Sequence, residues 1–264
     1  MDAMPAVSEL IRPAVFVGLL LLLGALERAW PLRLSDPQRP LRWLANFGLV
    51  AIATVLMSVL KLSLVAGAIW AEQAGFGLFN LVDAPWVVEL VLAWLLLDLA
   101  IYAQHRAFHE LPALWPLHRV HHSDVEFDVT TGLRFHPGEL LASQLFKIAV
   151  IVLLGAPWFA VLLFEIGLSS FSLFTHANLR LPAGLERALR LVIVTPDMHR
   201  IHHSTHRDEH DSNYGNLLSV WDRLLRSYTP TARENPREMR IGLAQFRAPA
   251  SQTLPTLLTQ PFER

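Results

Sequence analysis

Five apolar runs joined by short polar connections constrain this chain more than anything else in it. The stretch 13-PAVFVGLLLLLGAL-26 has no charge, and with its flanks it reaches the ~20 residues that a spanning helix needs. A second run covers 43–60 and continues past Lys61 to Trp70, and a third covers 86-WVVELVLAWLLLDLAIYAQ-104. The fourth and fifth occupy roughly 140–156 and 158–176, divided at 155-GAPW-158, where glycine and proline interrupt a helix. A signal peptide is the rival reading of the first run. It is disfavoured because the tail MDAMPAVSEL is acidic, and Glu27 and Arg28 stand where a small-residue cleavage site belongs.

The expected fold is therefore an all-α integral membrane protein of about five transmembrane helices. Mean hydropathy is +0.36 and only 17% of the residues are charged, as a bundle of spans requires. Arginine placement sets the orientation. The connection 28–42 carries Arg28, Arg33, Arg39 and Arg42, whereas 71–85 carries Glu72 and Asp83 with no cation, so the former is read as cytoplasmic. Counting spans from there puts 105–139 and everything after 176 in a cytoplasmic helical cap. We see no repeats or low-complexity linker, and read 1–264 as one domain: membrane helices in 1–85, a catalytic core in 86–230 and a cytoplasmic tail in 231–264.

All 12 histidines lie between His105 and His210. Nine of them form 105-HRAFH-109, 118-HRVHH-122, the lone His176, and 199-HRIHH-203. Positions i, i+3 and i+4 of a helix share a face. His118, His121 and His122 thus point one way, as do His199, His202 and His203, while His105 and His109 sit one turn apart just after the third span. A single HxxxH near a membrane is unremarkable, but two copies of HRxHH beside one are not. Eight imidazoles exceed what one metal can use, and two adjacent metals are the economical reading.

Several chemistries fall away. With no cysteine there is no disulfide framework, thiolate zinc site or iron–sulfur cluster. No HExxH, GxSxG or Glu-x-x-His pattern is present. A net charge of −1 argues against a nucleic-acid partner. Three functions remain: an oxygenase whose metals attack C–H bonds that acid–base chemistry cannot break; a metal-binding or metal-transporting membrane protein without redox catalysis; and a metal-dependent lipid hydrolase, with Glu110 and Asp124 as its adjacent carboxylates. Transporters bind ions near the bilayer midplane, and these clusters lie beyond the span ends, which favours the first.

The segments 98-DLAIYAQHRAFHELPALWPLHRVHHSD-124, 131-TGLRFHP-137 and 196-PDMHRIHHSTHRDEHDSNYGNLLSVWDRL-224 resemble the fatty acid hydroxylase and sterol desaturase superfamily over roughly 95–230. The resemblance implies two iron ions held by histidines beneath a cytosolic cap, with O2 as co-substrate and two electrons per hydroxylation or desaturation of a fatty acyl, sterol or related isoprenoid lipid. Zinc can occupy such sites in purified protein. Position by position, the implied ligands are His105, His109, His118, His121, His122, His199, His202 and His203, with His176 as a further one. Three residues separate His105 from His109, as in sterol-desaturase-like members, where some fatty acid hydroxylases have four. Several relatives fuse a cytochrome b5 domain, for which these 264 residues leave no room.

Supporting groups are expected around the ligands. Asp98 lies within an apolar run, where charge is costly, and precedes His105 by two turns with Tyr102 between; His136, His206 and His210 flank the boxes. The lipid is expected to arrive from the bilayer among the third, fourth and fifth spans, past Phe164, Phe171, Leu173 and Phe174, with Ser169 and Ser172 on the path. No CxxCH or GxGxxG motif is present, so electrons are expected from a separate ferredoxin or cytochrome b5-like protein. The 12 arginines after His176, among them Arg180, Arg187, Arg190, Arg200, Arg207, Arg223 and Arg226, would either steer an acidic carrier or contact anionic headgroups.

Overall fold

The computed structural model describes residues 3–34, 39–82 and 84–263, with side chains from Leu10 onward. Asp83 of the orientation argument lies outside the described residues. Among these the chain is all-helical: three isolated β-bridges are its only extended pairings. Five helical segments are long and apolar enough to cross a membrane.

The first span is α1 (Ala3–Ala29) and the third is α5 (Trp86–Glu110). The fourth and fifth are α7 (Pro137–Leu154) and α8 (Trp158–Thr175), which turn about Gly155 as the GAPW signal predicts. Gly155 is left-handed at φ 62°, and a Cβ there would lie 2.5 Å from Asn80 Nδ2 and 2.8 Å from the Phe76 carbonyl, so only glycine closes this turn.

The second apolar run is not one rod. Its apolar stretch of 43 residues would measure ~65 Å as a straight helix, twice the ~30 Å hydrocarbon core. It breaks instead into α2 (Arg39–Val59), α3 (Leu64–Gln73) and the single turn α4 (Leu78–Leu81). Lys61 turns the chain at φ 52°, and Ser63 caps α3 by accepting from the Ala66 amide at 3.2 Å.

Small and branched side chains let the spans pack closely. Ala68 of α3, Ala93 and Leu97 of α5, Ile151 of α7, and Ala160, Val161 and Phe164 of α8 form the main buried cluster. The aromatic residue Phe164 is packed edge-on against Trp94 there. Against α8 runs α1, parallel to it, pinned at one end by Arg12 to Glu165 (2.8 Å) and at the other by buried Glu27, which accepts from the Asn178 amide (2.6 Å) and the Val129 amide (2.7 Å).

The cap is built on α6 (Trp115–His122), a 3-10 turn at Val129–Leu133, α9 (Ala183–Arg190), α10 (Pro196–His202), α11 (Arg207–His210), α12 (Val220–Leu224) and α13 (Leu254–Thr259). Its foundation is ionic. Arg42 at the start of α2 is fully buried and forks onto Asp124 (2.5 and 2.9 Å) and Asp128 (3.2 Å), while Arg134 donates to the Val120 carbonyl and to Ser123 (2.9 Å each). Segment 231–263 wraps this cap: Met239 and Ile241 bury beside Phe127, and Leu257 packs on Val120.

Candidate metal centre

Both α5 and α8 run toward the cap and α7 starts there, so His105 and His109 on the last turns of α5, and His176 just after α8, arrive at one end of the bundle. The short helices α6 and α10 supply the rest. Their prolines at the first turn and the Thr195 hydroxyl, which accepts from the Met198 amide, start these helices beside the boxes.

All nine expected ligands come together, in two groups. His105, His109, His118, His122 and His202 form one; His121, His176, His199 and His203 form the other; within each, one ligand atom per residue lies within 4.8 Å of the rest. The shared helical face is real but is divided between two centres. In HRVHH the i and i+4 residues serve the five-histidine group and i+3 the other; in HRIHH the assignment is reversed.

Ring orientation decides what these groups can hold. In the four-histidine group, His176 Nδ1–H donates to the Ser172 carbonyl (2.6 Å) and His121 Nδ1–H to the Arg134 carbonyl (3.2 Å). In the other, His105 Nδ1–H donates to the Tyr214 carbonyl (2.7 Å) and His202 Nδ1–H to the Ser212 carbonyl (2.6 Å). A carbonyl can only accept, so each of these rings carries its hydrogen on Nδ1 and a lone pair on Nε2. Yet Nε2 of His176 faces Nε2 of His121 at 3.1 Å, and Nε2 of His202 faces that of His105 at 3.1 Å. Two lone pairs repel at that range. A shared cation with ligand bonds of about 2.1 Å holds neighbouring nitrogens about 3.0–3.4 Å apart, so the spacing fits a metal.

Other rings agree. His118 Nε2, His109 Nε2 and both nitrogens of His122 are buried without a hydrogen-bond partner among the described residues, and His109 Nδ1 has only Asp211, at 3.5 Å. Burial, and then the neighbouring imidazoles, push His118, His121, His122, His199, His202 and His203 far below the ordinary histidine value, and burial takes His176 down to about 4. They are neutral imidazoles at physiological pH. Apolar rings close the site: Phe135 stacks on His121 at 4.4 Å, Phe127 sits 5.5 Å from His176 and Trp115 5.3 Å from His109.

Of the expected supporting residues, only His210 reaches the centre. It is buried at 4.3 Å from the His122 ring, with Nε2 unpartnered. His136 caps α7 by accepting from the Gly138 amide (3.0 Å), and His206 bonds Glu234 (2.8 Å). Asp98 accepts from the Leu218 amide (3.1 Å) and the Trp221 indole (2.8 Å), tying α5 to the segment after the third box rather than touching a histidine. Tyr102 bonds Ser227 (2.6 Å), which donates to Asp222; Asp222 accepts from the Tyr214 amide, and the Tyr214 carbonyl holds His105.

The hydrolase reading loses its carboxylates. Asp124 is committed to Arg42 and Thr131, and although burial alone would raise its pKa, Arg42 and Arg134 override that and hold it far below the usual range. Glu110 points outward to Arg106 (2.7 Å). Exposed Asp211 lies 3.5 Å from His109 Nδ1, and behind His118 stands Glu139, buried on the first turn of α7, which accepts from His118 Nδ1–H at 2.6 Å. Sequence reading passed over it, though it stands three residues after His136 in RFHPGE.

The fatty acid hydroxylase family model matches residues 90–227, more than half of the chain and all of both histidine groups. This chain belongs to the fatty acid hydroxylase family. Among curated family relatives, the ornithine lipid hydroxylase OlsE of Rhizobium tropici is 33% identical over 184 residues, covering 68% of this chain and 52% of the relative. Alkylglycerol monooxygenase of Danio rerio is 32% identical over 155 residues, or 58% of this chain and 33% of that protein, and its Homo sapiens counterpart 30% over 154. The chain thus spans about half, or less, of the length of these relatives. No solved structure matches it. Membership and the five apolar helices make it a multi-pass membrane protein.

Proposed function

We propose that this protein is an O2-dependent di-iron oxygenase that hydroxylates or desaturates a membrane lipid. The observation that carries the reading is the pair of opposed Nε2 lone pairs, 3.1 Å apart, in each of two adjoining histidine groups. The relatives' names, a lipid hydroxylase and an alkylglycerol monooxygenase, support a lipid substrate.

Five histidines would hold one iron and four the other, and the bound pair would supply activation of O2 for attack on a C–H bond. The chain's own part is orientation and exclusion of water. Carbonyls of Ser172, Arg134, Tyr214 and Ser212 lock the imidazoles, and Glu139 locks His118, as the outer contacts of metal-bound histidines do. Phe127, Phe135 and Trp115 keep the centre dry. The lipid reaches it from the bilayer among α5, α7 and α8, beside Ser169 and Ser172. The histidine side faces the cytoplasm, and a separate ferredoxin or cytochrome b5-like protein delivers the electrons.

Purified protein should contain about two metals per chain, by the two-site argument. A chain with both His121→Ala and His202→Ala should lose metal and activity together, and full loading of that variant would reject the assignment. Lipid profiles of cells with and without the protein should differ by one oxygen or two hydrogens in a single lipid class; no such change would reject the activity.

A further inference from the structure

One corner of the cap is apolar, cationic and level with a candidate membrane span. Leu185 on α9, Leu191 and Val192 just beyond it, and Leu224 and Leu225 at the end of α12 are between 44% and 71% exposed. Bonds gather these residues: Ile193 bridges Leu218, the Ser219 amide donates to the Val192 carbonyl at 3.1 Å, and Arg223 donates to the Arg190 carbonyl at 2.7 Å. The depth comes from Asp98. It grips the Leu218 amide and the Trp221 indole two turns, or about 10 Å, before His105 along α5, which seats this corner alongside a spanning helix rather than above it.

A groove of about 880 Å³ opens next to the leucines, lined by Arg187, Arg190, Leu191, Arg223 and Tyr228 among others. Its acids are already matched: Glu186 by Arg190 (2.6 Å), Asp197 by Arg200, and Glu234 by His206 (2.8 Å). Arg187 and Arg223 donate only to backbone carbonyls and the Ser219 hydroxyl, and Arg223 also stacks on Tyr228; among the described residues no carboxylate forms a salt bridge with either, or with the neighbouring exposed Arg226, although Arg223 lies near enough to buried Asp222 to favour its charged form. Unmatched guanidinium groups beside exposed leucines suit a phosphate at the level where headgroup meets acyl chain.

We propose that this corner is a binding surface for anionic phospholipid. Leu185, Leu191, Val192, Leu224 and Leu225 enter the acyl layer, and Arg187, Arg223 and Arg226 hold the headgroup phosphate. The leucines decide between the two partners open to these arginines. An acidic electron carrier would have to cover five exposed aliphatic side chains at the depth of a span, whereas a bilayer takes them in.

The absence of cysteine makes the test direct. Full-length protein carrying Leu191→Cys, Leu224→Cys or, as a control on the far rim, Arg237→Cys is labelled with bimane and placed in nanodiscs of phosphatidylcholine with or without phosphatidylglycerol. Lipids brominated in the acyl chain should quench the labels at 191 and 224 several-fold more than that at 237, and iodide should do the reverse. Phosphatidylglycerol co-purifying with the wild-type chain should fall several-fold in Arg187→Gln/Arg226→Gln, whose side chains are exposed, and further when Arg223→Gln is added. Labels at 191 and 224 that iodide reaches and brominated lipid does not, or that become shielded only when an acidic carrier is added, would overturn the proposal. Equal phosphatidylglycerol in wild type and variants would overturn the headgroup site.

Discussion

Glu139 shows how much one carboxylate contributes to a centre it does not enter. It is buried, and its bond to His118 Nδ1–H fixes the ring that faces the five-histidine group. Glu139→Ala is expected to weaken metal at that group by about 10–100-fold, the cost typical of such contacts, while Glu139→Gln, which keeps a carbonyl acceptor, loses less. Chelator competition monitored by metal analysis measures both. Eight of the nine clustered histidines stood out in the sequence because a spacing of i, i+3 and i+4 is local chemistry written in adjacent letters, while His176 entered only through the family resemblance. Their division into five and four was not, because it depends on how α6 and α10 meet. The carbonyls of Tyr214 and Ser212 were illegible for a plainer reason: every residue carries a carbonyl, so no side chain marks the two that matter.

Among elements, α2 carries a load that its apolar composition conceals. Arg42 reads as a positive-inside marker, yet it is buried under the cap as the counter-ion of Asp124 and Asp128. Arg42→Ala leaves two buried carboxylates without their main cation and is expected to cost about 3–5 kcal/mol, read as thermal unfolding in detergent. Because Asp124 is held below its ordinary value, the ion pair contributes fully above about pH 4 and is lost as pH falls through the native-state value. Wild type should therefore lose stability below about pH 4, and the variant should lack that component. The break in the second apolar run was partly legible, since Ser63 is a capping residue, but the run stays apolar on both sides of Lys61 and reads as continuous. In α8, Ser169 hydrogen-bonds only its own helix (2.9 Å to the Glu165 carbonyl), so Ser169→Trp should fold and change the chain length of the lipid oxidised, as seen in the product spectrum. An unchanged spectrum would move the lipid path elsewhere.

At the scale of the whole molecule, membrane bundle and cap are fastened to each other by polar contacts: Glu27 to the Val129 amide, Arg42 to Asp124, Asp98 to Trp221. The proposed ligands arrive from α5, α6, α10 and the end of α8, so bound metals would join elements that are far apart in sequence. Ions bound only by the folded state stabilise it by mass action, and chelation should lower the unfolding temperature of the entire chain in one transition. One detail of the boxes has a sharper result. His121 and His122 are neighbours on one turn but belong to different groups, as do His202 and His203. A turn made rigid by the first ion already holds the second ion's ligands in place. Uptake should then be cooperative, giving a sigmoidal isotherm on titration with ferrous ion and few half-loaded molecules by native mass spectrometry; two independent hyperbolic phases would show that the shared turns do not link the sites.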